Sequence, residues 1–200
     1  MPKKKTQGTQ NCLVVGGEQR GRRRADKIHR RTDQEDRTVA YHEAGHAVVL
    51  VYYGLGFSEV SIAQNAEGGS EGHILHPTPM MYSGCTGKRE RRMVARQLIL
   101  GAYAGLAAHR LVQPDAPDSH GAIDQENAFW LSRTYGVQPR RLSLVGDTRH
   151  WEYLSRLQKE AHHLVLQLQV AIARLADELL SRTTLTGAEA EAVVAPLIHR

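Results

Sequence analysis

Seven consecutive residues, Tyr41-His42-Glu43-Ala44-Gly45-His46-Ala47, constrain this chain more than any other part of it. His42 and His46 are four apart, so on a helix they sit one turn apart on the same face. A fold that uses them together must keep this stretch helical. Two imidazoles so placed can take two corners of a tetrahedral Zn²⁺ site. Glu43 then projects beside the metal, where it can take a proton from an attacking water instead of binding the ion. The bland reading of the same letters is a helix that happens to carry two histidines.

The flanking residues favour a helix. Asp33, Asp36 and Thr38 offer capping oxygens, and acidic residues suit the positive end of the helix dipole. The expected helix runs from Val39 to Tyr53, free of proline and rich in Val and Leu, and Gly54 ends it. Such a run is buried on nearly all sides, as a metal site in a water-excluding cleft requires. Gly45 costs helix stability, roughly 1 kcal/mol against Ala. A helix tolerates that where another backbone approaches closely.

Two hundred residues with 41% hydrophobic content suffice for one domain with a core. The charge is uneven. Residues 1 to 37 hold eleven Lys or Arg against five Asp or Glu, a balance of +6, while the whole chain carries +5. Residues 1–35 therefore read as a basic, disordered arm and 36–200 as the folded domain. The arm is expected to be a solvated tail, with contact to nucleic acid or an acidic membrane as the rival role. No signal peptide follows the basic start, and no apolar stretch approaches the ~20 residues of a transmembrane helix. Cys12 and Cys85 imply no disulfide framework. The expected compartment is the cytoplasm, and any zinc site must be built from His and carboxylate.

Beyond the motif the period changes. Glu59 to Ala63 and Glu71 to His76 alternate like strands around a turn at Gly68-Gly69, and Pro77 and Pro79 close the hairpin. Proline belongs at strand ends or edges, so one strand is expected to lie exposed, where an extended peptide could dock. Everything from Lys88 onward reads as helix. One helix spans Lys88 to Val112, with Gly101, Gly105 and Ala108 as a small-residue stripe for close helix approach. A shorter one spans Gly121 to Tyr135, capped by Ser119. A long one spans Thr148 to Ser181, with a leucine-rich stripe from Leu154 to Leu179 that serves core or subunit interface. Thr186 and Glu189 form a capping-box signature for a last helix ending near Ala195. The fold class is mainly α, with a small hairpin beside the motif helix.

Zinc needs a third protein ligand. A histidine six residues after His46 is excluded, since that position is Tyr52. Glu59, Glu67 and Glu71 lie in strand or turn. His120, Asp124 and Glu126 cluster downstream, and spacing alone does not choose among them.

The run Tyr41 to Val49 resembles the motif of the peptidase domain of FtsH-type ATP-dependent zinc metalloproteases. The likeness continues through Glu59-Val60-Ser61-Ile62, Ala104-Gly105-Leu106-Ala107-Ala108 and Gly121-Ala122-Ile123-Asp124. It closes with Leu175 to Leu180 and Thr184-Leu185-Thr186-Gly187, so it covers the chain from about Asp36 onward. The resemblance implies Asp124 as the third ligand, beside His42 and His46, and Glu43 as the catalytic base. It also implies that Gly72, His73, Ile74 and Leu75 form the strand that binds substrate. Departures accompany it. His109 and Arg110 stand where the family usually has two acidic residues, and Leu106 stands where it has Arg. No Gly-x-x-x-x-Gly-Lys-Ser/Thr loop occurs, because Gly84 to Arg89 is too short.

Together these readings lead us to expect a Zn²⁺-dependent endopeptidase that hydrolyses flexible or unfolded polypeptides without its own ATPase motor. A separate ATPase partner and a homo-oligomer are the partners the resemblance brings in. The alternative is a catalytically silent, metal-stabilised binding or adaptor module built on the same domain.

Overall fold

Thr32 starts the first helix. Its hydroxyl accepts a hydrogen bond from the Glu35 N–H, and the Glu35 carboxylate accepts from the Thr32 N–H at 2.7 Å. This capping box opens α1, Asp33–Tyr52, six residues before the Val39 start expected from the apolar run. Asp33 and Asp36 lie within its first turn, and Thr38 turns its hydroxyl to the Glu35 carbonyl. Arg31 pairs with Asp36 at 2.8 Å and reaches the Ile62 carbonyl, tying the start of α1 to the sheet region. At the far end Gly54 adopts φ +68, and the Leu55 N–H bonds back to Leu50 O at 2.9 Å.

The computed structural model describes residues 13–15, 30–64, 72–76, 86–136 and 148–198. The rest of the basic arm, the Gly68-Gly69 turn, Glu67, Glu71, and the prolines 77 and 79 lie outside the described residues. After α1 come β2, Glu59–Ser61, and β3, His73–His76, which pair antiparallel as the expected hairpin. Then follow α2, Lys88–His109; a 3₁₀ turn, Asp118–Gly121; α3, Ala122–Thr134; α4, Thr148–Gln167; and α5, Gln169–Arg182. A short strand β4, Thr184–Thr186, leads into α6, Gly187–Val194, whose capping box is the expected Thr186–Glu189 pair. Ahead of all of these, Leu13–Val15 forms β1.

The sheet has four strands in the order β1-β3-β2-β4, and every described pairing is antiparallel. Neither strand of the hairpin is therefore an edge. β1 takes the outer side of β3, and β4 takes the outer side of β2, which corrects the expectation of an exposed hairpin strand. Two further expectations change. Ser119 does not cap α3: the N-cap is Gly121, with no side-chain cap. The long C-terminal helix is broken at Leu168, whose φ −99 and ψ 9 interrupt it between α4 and α5. The leucine stripe nevertheless crosses the break intact. Leu154, Leu157, Leu164, Leu168, Leu175 and Leu179 are all buried in one hydrophobic core, so within this chain the stripe is core.

α1 is the central element, packed chiefly against α2 and α5, while α2 also carries α3 and α4. Its closest neighbour is α2. A Cβ on Gly45 would lie 2.5 Å from Ala108 Cβ and 2.6 Å from Ala104 O, so only glycine lets the two backbones come this near. The small-residue stripe on α2 is the other half of that approach. Among the described residues no helix is long and apolar enough to cross a membrane.

Candidate metal centre

Close approach of α1 and α2 creates the site. His42 and His46 project from α1 toward the stripe on α2, and their rings meet edge to face with centroids 4.7 Å apart. A Cβ on Gly105 would overlap the His46 Nε2 and lie 2.7 Å from the His42 Nε2. The glycine thus keeps free the space into which both donor atoms point. His46 is buried, and its Nδ1–H donates to the Gly101 carbonyl at 2.8 Å. That bond leaves Nε2 as the lone-pair atom of the neutral ring.

Asp124 arrives from the other side, in the first turn of α3, and is 5% exposed. Its carboxylate oxygens lie 3.1 Å from His42 Nε2 and 3.6 Å from His46 Nε2. Ligands at zinc bond lengths stand roughly 3.3 Å apart along a tetrahedron edge, and both His-to-carboxylate distances lie close to that value. His42, His46 and Asp124 are the group of metal-capable side chains found among the described residues, with ligand atoms within 4.8 Å of one another. Two nitrogens and one carboxylate suit zinc, and three protein ligands leave the fourth position free, as in catalytic rather than structural sites.

Electrostatics bind the trio together. Burial alone would lower the pKa of His46, but the Asp124 carboxylate, helped by Glu43, raises it from 6.5 to about 9. Burial alone would raise the pKa of Asp124, yet His46 and His42 hold it well below the usual carboxylate range. The carboxylate is therefore ionised and ready to act as a ligand at any ordinary pH.

The other downstream candidates lie elsewhere. Glu126 is exposed and accepts from the Trp130 indole N–H at 3.3 Å. His120, in the 3₁₀ turn, is exposed and leans on the His109 ring, with centroids 5.1 Å apart. Glu59 bonds to His73 at 3.3 Å, in the sheet.

Glu43 is 5% exposed and faces the start of β3. A Cβ on Gly72 would lie 2.8 Å from Glu43 Cγ, and Gly72 has φ +113, a conformation natural only to glycine. Gly72 and Ile74 are buried, whereas His73 and Leu75 are half-buried. Beside His46, a cavity of about 150 Å³ opens between β3 and α3, lined by Leu50, Ile74, Leu98, Trp130 and Leu131.

The three departures on α2 have local roles. Leu106 packs under the turn before Asp124, where a Cβ on Gly121 would lie 3.0 Å from its own Cβ. The Arg110 guanidinium donates to Ala116 O at 2.8 Å and to Asp118 at 2.7 Å, holding the same turn against α2. His109 is buried with its ring edge-on to His42, centroids 6.2 Å apart, and Nε2–H donating to Gln113 Oε1 at 3.0 Å. Apart from the unusual letters themselves, no pattern in the sequence signals these contacts.

Comparison with known proteins points the same way at low identity. The chain is 27% identical over 176 residues to "ATP-dependent zinc metalloprotease FtsH 3" of Phytoplasma mali (strain AT), covering 80% of this chain. It matches "ATP-dependent zinc metalloprotease FtsH 1" of the same organism to the same extent. The aligned part spans 28% of the length of each relative. No protein-family profile matches the chain. The likeness is distant, and the metal-capable trio lies within the stretch it covers.

Proposed function

We propose that this domain is a zinc-dependent endopeptidase acting on flexible or unfolded polypeptides. The observation that carries this reading is the trio His42, His46 and Asp124, its ligand atoms within 4.8 Å of one another, with a second carboxylate, Glu43, buried beside it and not part of it. When bound, Zn²⁺ would supply the Lewis acidity that makes a water nucleophilic near neutral pH and polarises a carbonyl.

The chain's own residues supply the rest. Glu43 accepts the proton of the attacking water and returns it to the leaving amine. The Gly101 carbonyl and Asp124 fix the His46 ring from both sides, so the ligand set is preorganised. Gly72, His73, Ile74 and Leu75 would hold a substrate extended by backbone hydrogen bonds, on the side of β3 where Leu13–Val15 pairs and would first have to give way. The apolar cavity beside His46 would receive one large apolar side chain of that substrate. A chain must be extended to lie along β3, which is why flexible segments are the expected substrate. A folded protein would have to be opened first, by an ATPase motor.

The deciding experiment is casein degradation by the zinc-loaded protein beside its Glu43→Gln variant. Both variants are expected to bind one zinc, and the wild type is expected to cleave roughly 10²–10⁴-fold faster. Equal rates would remove Glu43 from the mechanism. Zinc binding without turnover in either would favour the adaptor reading.

A further inference from the structure

β3 has two sides along which another strand can pair. β2 occupies one, with Val60 opposite Ile74 and Glu59 opposite Leu75. Leu13–Val15 occupies the other, running antiparallel with Leu13 opposite His76, Val14 opposite Leu75 and Val15 opposite Ile74. The same short strand also touches α3. It therefore spans the two walls of the cleft: β3, whose Gly72 end abuts Glu43, and α3, whose first turn carries Asp124. The apolar cavity beside His46 lies between these same walls.

We infer that Leu13–Val15 is a built-in competitor for the substrate edge, so that this chain limits access to its own site. The inference rests on the proposed reading of β3 as the strand that binds substrate. A backbone N–H or C=O of β3 that bonds to β1 is not available to a second extended chain on that side. Sequence fits the role. Leu13-Val14-Val15 is an apolar, largely β-branched triplet in an otherwise basic and polar arm, with the composition that favours a strand. A three-residue strand can form only a few backbone bonds, so it is displaceable. Its tether to α1 compensates, giving it an effective concentration on the order of millimolar. A free peptide must outcompete that. A substrate that also fills the cavity beside His46 has the means to do so.

The test measures binding, not turnover. A fluorescein-labelled peptide with the sequence of residues 11 to 17 is titrated into the full chain by fluorescence anisotropy. Every protein carries Glu43→Gln, so that nothing is cut. Alternate residues of a strand direct their N–H to a given neighbour, so Val14→Pro with Val15→Pro removes a donor whichever parity applies. The double proline variant is expected to bind the peptide about tenfold more tightly. That factor corresponds to a strand docked in about nine of ten molecules, since apparent affinity scales with the open fraction. Val14→Gly with Val15→Gly keeps every N–H while weakening the strand, and its affinity is expected to fall between the two. Circular dichroism and zinc stoichiometry check that each variant is folded. Equal affinity across the three proteins, or binding to none, overturns the inference whatever the casein assay shows. Tighter binding to the variants, with casein uncut by the Glu43 form of the protein, would keep the docked strand and reject the endopeptidase reading.

Discussion

Gly105 stands so close to His46 that a single added methyl group would occupy the place of the imidazole Nε2. The same methyl would lie 2.7 Å from the His42 Nε2. Gly105→Ala is therefore expected to push both donor atoms apart while leaving the helix itself at least as stable, because alanine is the better helix former. Zinc affinity should fall on the order of 100-fold, at the upper end of what disturbing a ligand's surroundings costs. Chelator competition measures this, with far-ultraviolet circular dichroism as the control for folding. Unchanged affinity would mean that the ligands do not use the space beside Gly105.

Proton and metal compete for His46. Its pKa is raised from 6.5 to about 9, so in zinc-stripped protein the proton stabilises the fold fully below about 6.5 and loses that effect as pH rises through 9. Asp124 is shifted the opposite way, and its charge contributes above the ordinary carboxylate range. Zinc must displace the His46 proton, so apparent affinity should rise about tenfold per pH unit below 9 from this group alone. Between pH 6.5 and 8.0 that amounts to about 30-fold. Asp124→Asn removes the chief cause of the raised value and should both weaken zinc and flatten the slope. A wild-type affinity independent of pH in this window would show that His46 does not gain a proton when the metal leaves.

The capping box at Thr32 and Glu35 starts the helix that bears both histidines, but more than two turns away from His42. Thr32→Ala is expected to cost about 1 kcal/mol and to lower Tm by about 2–4 °C. Zinc affinity should be unchanged, since the cap sets where α1 begins and not how its middle turns face α2. A loss of zinc together with the drop in Tm would mean that the start of α1 and the site are one cooperative unit.

Much of the site was legible because its decisive parts are local. The spacing of His42 and His46 needs only helix geometry, and a glycine at 45 opposite a small-residue stripe at 101, 105 and 108 announces two backbones in contact. Asp124 was different. Nothing in spacing distinguishes it from His120 or Glu126, and only the resemblance favoured it. The fold brings it to His42 through the turn that Leu106 and Arg110 hold against α2. The Thr32 cap was obscured by the charge of the arm, which moved the apparent helix start to the first apolar residue. β1 and β4 have three residues each, too few for a period-two pattern to register. The break at Leu168 has neither proline nor glycine to mark it, and the leucine stripe runs through it without a gap.

Gly45 gives the most direct check on the packing that assembles the centre. A Cβ there meets Ala108 Cβ at 2.5 Å and the Ala104 carbonyl oxygen at 2.6 Å, and the latter is backbone that cannot rotate away. Gly45→Ala gains helix propensity, roughly 1 kcal/mol, but forces α1 and α2 apart, and overpacking of this kind costs about 1–3 kcal/mol. Gly45→Val adds further atoms to the same contact without the propensity of alanine, so its net cost should be larger, about 2–4 kcal/mol. A chain of this size should then lose on the order of 4–16 °C in Tm. Zinc affinity is expected to fall in the same order, wild type above alanine above valine, because His42 and His46 ride on the helix that is displaced. Thermal melts of the three proteins with and without zinc decide the matter. A valine variant as stable as wild type would contradict the contact of α1 with α2 at Ala104 and Ala108.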